Sequence, residues 1–325
     1  MPDFACIPSK TLIRPTTAVA EAGYVAGVVR PVITWEQVAV YRDEIIRHLD
    51  DSRQVQGYAD QGITFIRGEV SLSGPGRVEG AGRTLHAPHV IVATGSDPRL
   101  PSIDGLQEAD YWTNREATTF ERVPESIVIL GGSAQGIELG QMLRRYGAEV
   151  TIVQHATHLL DREEPEVGNL VADQLRAEGV DVRLGREAIR VARDTDGERI
   201  AHLDDGTEVH GQELLVATGR TLRTQGLKLE AVGATVTRRG VQVDDSCRAG
   251  SVGDRGRDGR GPVHLCGQVP GPHRCRRHPR SPSSRELRSG PTGRLLRSRG
   301  GRDRPDSCTG TRTGSGCGDS NGRSV

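Results

Sequence analysis

Six cysteines, Cys6 and five from Cys247 onward, show no C-x-x-C pair and no zinc-like alternation with histidine, so no structural metal is expected. No apolar run reaches the about 20 residues of a membrane-spanning helix. Met1-Pro2-Asp3 does not open a signal peptide. These absences lead to the expectation of a cytoplasmic protein, in whose compartment thiols stay reduced.

The largest absence is regional. Residues 251–325 contain no Ala, Ile, Met, Phe, Tyr, Trp or Lys. They hold sixteen Arg against six acids, a net charge of +10, so residues 1–250 carry −10 and the formal total of zero joins two unlike parts. A segment this rich in Gly, Ser, Pro and Arg cannot bury enough apolar surface to offset its chain entropy, and a largely disordered C-terminal tail is expected. A competing reading is a nucleic-acid arm, since Arg297-Ser298-Arg299-Gly300-Gly301-Arg302 could neutralise phosphates without sequence preference. The segment has no aromatic ring to stack on bases, so a nucleic-acid partner is not expected.

The first 250 residues carry regular patterns. Trp35 to Leu49 places Val38, Val40, Ile45, Ile46 and Leu49 among charges, which suits an amphipathic helix. Ile63-Thr64-Phe65-Ile66 reads as a strand, and Gly74 to Gly82 as a hairpin region. His89-Val90-Ile91-Val92 is a strand that runs into Ala93-Thr94-Gly95-Ser96. Small residues after a buried strand let backbone approach a cofactor closely, although a plain tight turn has the same composition.

Ser126-Ile127-Val128-Ile129-Leu130 then leads into Gly131-Gly132-Ser133-Ala134-Gln135-Gly136 and a helix through Leu139, Met142 and Leu143. Gly147 ends the helix, and Glu149-Val150-Thr151-Ile152-Val153 forms the next strand. Strand, glycine turn, helix and strand make a unit of dinucleotide-binding type, with Gly131 for the turn and Gly136 for close helix packing, and a plain βαβ unit is the alternative. The helix N-terminus would face the pyrophosphate. Ser133 replaces the second glycine of the fingerprint, where a side chain either crowds the phosphates or hydrogen-bonds them. Gln154 stands where an acid would select NAD, followed by His155, His158 and Arg162. That set leans toward NADP, with solvated loop residues as the alternative. A second strand and turn, Leu214-Leu215-Val216-Ala217-Thr218-Gly219-Arg220, completes the unit.

At the other end stands Cys6-Ile7-Pro8-Ser9-Lys10. Unpaired N–H groups at a helix start stabilise a thiolate, and Pro8 suits a first turn. An inert cysteine in a short turn is the alternative. The five residues resemble the active-site helix start of the FAD-dependent pyridine nucleotide-disulfide oxidoreductases, among them dihydrolipoamide dehydrogenase and mercuric reductase. Cys6–Leu12, Ala93–Ser96, Gly131–Glu138 and Ala217–Arg220 follow that family's order and spacing.

The resemblance implies an α/β fold: part of an FAD-binding Rossmann-like domain over 1–120 and an inserted NAD(P)-binding Rossmann-like domain over 121–245. It implies electron flow from NAD(P)H to FAD and on to a small-molecule disulfide, quinone or similar acceptor. By the same resemblance, Cys6, Lys10 and Glu138 are the catalytic candidates, with Lys10 and Glu138 paired. Thr94, Gly95, Gly131, Gly132, Gly136, Gln154 and Gly219 are the cofactor-binding candidates. The family's first redox cysteine falls on Met1, and its flavin glycine fingerprint is expected further upstream, so an N-terminally truncated, catalytically impaired chain is expected. An NAD(P)-binding module without catalysis, or a non-functional product, are the alternatives.

The family pattern continues through Val243-Asp244-Asp245-Ser246-Cys247-Arg248 and then stops. GC-rich codons for Gly250 to His278 can be chosen so that, read one nucleotide downstream, they give GRWAIGDVTGVGPFTYVGKYQGRIAAD. That string resembles the family segment with its flavin-binding Gly-Asp. Residues 250–325 are therefore expected to be an out-of-frame tail in place of the family's interface and homodimerisation domain.

Overall fold

The fold is described from a computed structural model covering residues 6–29, 31–237, 240–244 and 248–249, with the backbone of 263–265. The Arg-rich segment otherwise lies outside the described residues, as does the disorder expected of it. All described residues belong to one contact unit, Met1–Arg276.

Three helices come first. α1 (Cys6–Ala22) holds Pro8 in its first turn and Pro15 inside. Pro15 has no N–H for the Thr11 carbonyl, which weakens the ladder there. The next carbonyl, that of Leu12, accepts a hydrogen bond from the Tyr146 hydroxyl at 2.6 Å. α2 (Trp35–Ile45) covers most of the helix expected from Trp35 to Leu49. The remainder tightens into a 3-10 turn, Arg47–Leu49, where His48 takes φ 49° and breaks the α-helical run. α3 (Ser52–Asp60) follows.

The Gly-rich region forms an antiparallel meander of β1 (Val70–Gly74), β2 (Arg77–Gly80) and β3 (Arg83–His86). Ile63–Ile66 is not a strand. Ile63 and Phe65 are exposed, and no described strand pairs with them; β-forming side chains need a neighbouring ladder to join. β4 (Val90–Val92) and β5 (Ser96–Pro98) flank the first Ala-Thr-Gly turn, and a short α4 (Glu116–Thr119) precedes the nucleotide unit.

That unit is β6 (Ser126–Leu130), α5 (Ala134–Tyr146), β7 (Glu149–Gln154), α6 (Pro165–Ala177) and β8 (Asp181–Leu184). An antiparallel meander follows, of β9 (Ala188–Arg193), β10 (Arg199–Leu203) and β11 (Glu208–Gly211). β12 (Glu213–Val216) then returns beside β6, giving a parallel sheet of order β12-β6-β7-β8. The chain leaves through β13 (Arg220–Leu222), β14 (Val236–Thr237), β15 (Gly240–Val241), β16 (Arg248–Ala249) and β17 (Val263–Leu265). β17 runs parallel to β4.

Alternation along β6 sets the layers. Ile127 and Ile129 face one core with Leu139, Met142, Leu143 and Ile152, and Leu12 of α1 and Val38 of α2 join it. Val128 and Leu130 face the other core, against Val191, Ala201, Leu203 and Val209 of the meander. Each such fully buried side chain contributes about 1.5–3 kcal/mol. The thiol-bearing helix therefore packs into the nucleotide unit's own core.

Candidate functional site

The glycine turn has the shape a dinucleotide needs. Gly131 takes φ 110°, and a Cβ there would lie 2.6 Å from the Ala217 carbonyl oxygen. A Cβ on Gly136 would lie 2.2 Å from the Gly131 oxygen. Backbone crowding of that kind admits only glycine. Gly140 continues the close approach, with Ile129 Cδ1 3.0 Å from where its Cβ would be.

Ser133 caps α5 from extended backbone. Its hydroxyl donates to the Ala217 carbonyl at 2.8 Å and accepts a long bond from the Gly136 N–H at 3.4 Å. The hydroxyl is thus turned into the fold, which answers whether it crowds the phosphates or bonds them: it is engaged with backbone. The first-turn N–H groups of Ala134 and Gln135 find no acceptor among the described residues, and they lie at the positive end of a 13-residue helix. A pyrophosphate fits this turn.

Gln154 closes the turn from the side. It is 4 % exposed, and its Oε1 accepts from the Gly132 N–H at 2.9 Å. A neutral amide here leaves no carboxylate to repel a 2′-phosphate. The following loop covers the glycines: Leu160 donates its N–H to the Gly132 carbonyl, and His158 Nδ1 lies 2.8 Å from the Leu159 carbonyl. His155 and Arg162 are exposed.

Lys10 and Glu138 meet, as expected. Lys10 Nζ lies 2.5 Å from Glu138 Oε2, joining the thiol helix to the second turn of α5. Both side chains are about half exposed, at 56 % and 49 %, so the pair adds at most about 1 kcal/mol of stability. Its value is positional. Lys10 is also one of only two lysines among the chain's 43 basic residues, the rest being arginine. Cys6 is an exposed free thiol one turn before it.

Aromatic packing that sequence reasoning missed joins α2 to the end of α5, from which the Tyr146 hydroxyl reaches α1. Trp35 stacks on Phe120 at 4.5 Å, Trp112 stacks on the same ring at 5.6 Å, and Tyr146 meets Trp35 edge-on at 5.2 Å. Buried Arg42 sits 5.8 Å over Trp35 and donates to the Phe120 carbonyl at 2.7 Å. Burial raises the Tyr146 phenol well above its usual value, with Arg42 opposing, so its hydroxyl stays a donor to Leu12.

The remaining candidates lie at the two Ala-Thr-Gly turns. Gly95 takes φ 73° and faces open space, whereas the Thr94 hydroxyl donates to the Arg223 carbonyl at 2.7 Å. Gly219 takes φ 123° with Arg99 Nη2 placed over it. Among the described residues, Gly131 heads the only strand, glycine turn and long helix. No second strand, glycine turn and long helix among the described residues offers a pyrophosphate cradle for FAD. No cluster of metal ligands occurs among the described residues, and no described helix is long and apolar enough to cross a membrane.

Comparison with known proteins follows this geometry. Residues 1–254 match the family described as pyridine nucleotide-disulphide oxidoreductase. A mercuric reductase of Acidithiobacillus ferrooxidans is 32 % identical over 262 residues, covering 77 % of this chain and 47 % of that protein. A dihydrolipoyl dehydrogenase of Thermus scotoductus is 31 % identical over 249 residues, covering 74 % and 53 %. Among solved structures, the HOCl-induced flavoprotein disulfide reductase RclA of Escherichia coli superimposes with a TM-score of 0.68 at 22 % identity. That match covers 82 % of this chain and 56 % of that one, and supports the fold. The chain spans about half the length of the relatives it matches.

Proposed function

The chain belongs to the pyridine nucleotide-disulphide oxidoreductase family, whose members use FAD and NAD(P)H, and from that premise we propose that it binds NAD(P)H at the Gly131 turn and hands reducing equivalents toward the thiol-bearing helix. The observation that carries this reading is the Lys10–Glu138 contact, which brings the cysteine helix against the nucleotide helix.

Each residue has a part in it. The Ala134 and Gln135 N–H groups hold the pyrophosphate, and Gly131 and Gly136 let it approach. Gln154, neutral and fixed by Gly132, favours NADPH over NADH. Lys10 and Glu138 hold opposite charges where the nicotinamide and flavin rings would meet, orienting the rings and tuning their electrostatics. Gly95 and Lys10 would flank the flavin, and FAD when bound would carry the two electrons of the hydride from nicotinamide to an oxidised acceptor held near Cys6. Cys6 presents its sulfur to the acceptor, a small-molecule disulfide, quinone or similar compound.

We assign 1–120 to the flavin-side domain, 121–245 to the nucleotide domain, and the residues from about 250 onward to a displaced reading frame. The family match ending at residue 254, close to the composition break, supports the last assignment. Sequencing the gene through codon 250 tests it: a one-nucleotide shift is expected to restore the Gly-Asp segment, and a gene with no such shift removes the idea.

The functional test is spectroscopic. Purified protein titrated with NADPH is expected to enhance the nucleotide's fluorescence, with weaker binding of NADH, and flavin absorbance in the same preparation reports whether FAD is held as well. Nucleotide binding without flavin colour identifies a binding module instead. Absence of both overturns the proposal.

A further inference from the structure

The two Ala-Thr-Gly turns belong to one longer repeat. Ala93-Thr94-Gly95-Ser96-Asp97-Pro98-Arg99 and Ala217-Thr218-Gly219-Arg220-Thr221-Leu222-Arg223 share Ala-Thr-Gly-x-x-x-Arg. In space the two copies run antiparallel, with Ser96 opposite Leu222, Asp97 opposite Thr221 and Pro98 opposite Arg220. Their hydrogen bonds are reciprocal. Thr94 Oγ1 donates to the Arg223 carbonyl at 2.7 Å, and Thr218 Oγ1 donates to the Arg99 carbonyl at 2.8 Å. The Arg223 N–H donates to the Gly95 carbonyl at 3.1 Å, and the Arg99 N–H donates to the Gly219 carbonyl at 2.9 Å. A half-turn about the Asp97–Thr221 pair exchanges one set for the other.

We propose that this pseudo-two-fold ribbon is a clamp that registers the Gly131 nucleotide turn against the end of β4, with Thr94, Thr218 and Asp97 as positioning residues. The path is short at both ends. Ala217, at the start of the second copy, accepts the Ser133 hydroxyl bond and crowds Gly131, so moving the ribbon moves the nucleotide turn. The first copy begins at Ala93, the residue after β4 ends at Val92, and runs through Thr94 and Gly95 into β5. Side-chain contacts break the symmetry: Arg220 Nε donates to the Ser96 hydroxyl at 2.7 Å, Arg220 Nη2 to the Ser96 carbonyl, and Arg99 Nη2 to the Thr218 carbonyl. Asp97 adds a lock, receiving both Nε, at 2.7 Å, and Nη2 of Arg223.

Hydrogen bonds from Arg223 lower the Asp97 carboxyl below its ordinary value, with Arg115 and Arg220 adding to the effect. The lock is therefore charged at neutral pH, and its contribution is lost only as pH falls through that lowered value. A threonine hydroxyl that bonds a backbone carbonyl across 129 or 119 positions is a connector between two distant segments.

Because the clamp rests partly on the proposed nucleotide site, its test has an arm free of nucleotide. Amide hydrogen exchange of the full chain is followed by mass spectrometry in Thr94→Val and Thr218→Val. Each substitution is expected to raise exchange of the opposite copy about fivefold, as loss of one such bond implies, and Thr→Ser at either position to restore it. Exchange confined to the mutated copy, with the opposite copy unchanged, would overturn the clamp. Should a valine variant fail to fold, Asp97→Asn serves, since Asp97 is half exposed and the same rise in both copies is expected.

In a second arm, saturating NADPH is added. Exchange of 93–99 is expected to slow in the wild type and to respond less in Asp97→Asn. Fluorescence in the same samples reports binding, so binding without slowing removes the clamp. Absence of binding removes the nucleotide reading and leaves the first arm to decide the clamp.

Discussion

Gly131→Ala is expected to abolish NAD(P)H binding and to lower stability by about 2–4 kcal/mol, because backbone strain and a steric clash act together. The residue sits at φ 110°, where a Cβ is strained, and that Cβ would lie 2.6 Å from the Ala217 oxygen and 2.8 Å from its carbon. Both contacts are backbone, so no side chain can swing aside. Gly147 is the control. It takes φ 108°, nearly the same φ, but a Cβ there meets nothing within 4 Å. Gly147→Ala is expected to cost only the strain, about 1–2 kcal/mol, with nucleotide binding retained. Thermal melts give the first quantity and fluorescence titration the second. If the two variants bind NADPH alike, the turn is not the nucleotide site.

The second large effect is structural and lies at Arg199. Its side chain is 8 % exposed and ties the β9–β11 meander to the parallel sheet. The guanidinium donates to the carbonyls of Ala109 at 3.3 Å, Gly197 at 3.2 Å, Asp110 at 3.1 Å and Gln212. It also lies 3.0 Å from Glu213 Oε2, an ion pair out of hydrogen-bond alignment. Burial raises the Glu213 carboxyl above its usual value, and Arg199 pulls the other way. Arg199→Leu removes that counterweight and leaves a half-buried carboxylate, with Oε2 out of solvent, among unpaired carbonyls. The expected cost is about 3–5 kcal/mol.

The pH dependence identifies the cause. A carboxyl whose folded-state pKa is raised binds its proton more readily folded than unfolded, so the variant should recover stability as pH falls. Urea midpoints of Arg199→Leu at neutral and mildly acid pH read this directly. Adding Glu213→Gln should return part of the loss at neutral pH and flatten the dependence. A midpoint close to wild type in the single variant would show that Arg199 is dispensable.

Legibility followed the range of the interaction. β6, α5 and β7 were readable because every cue is local: a five-residue apolar run, a glycine turn, Leu139, Met142 and Leu143 on one helix face, and Gly147 at φ 108° to stop it. Ile63–Ile66 carried the same local signal and formed no strand, since a strand exists only where a partner ladder is available. The β9–β11 meander and Arg199 gave little warning, because a buried arginine is defined by the carbonyls around it. The Thr94 and Thr218 turns were visible as small-residue turns, and the shared Arg99 and Arg223 were the signal that would have joined them.

The sequence by itself determined the family, the βαβ unit and the break in composition near residue 250, because order, spacing and glycine placement are properties of the chain. It also named Lys10 and Glu138 as a pair. Tertiary structure alone decided that Ser133 turns inward, that Gln154 is spent on Gly132, and that the two Ala-Thr-Gly turns bond each other. Those outcomes depend on which backbone carbonyl lies within hydrogen-bond reach of a short polar side chain, and carbonyls more than a hundred residues away are brought there only by the fold.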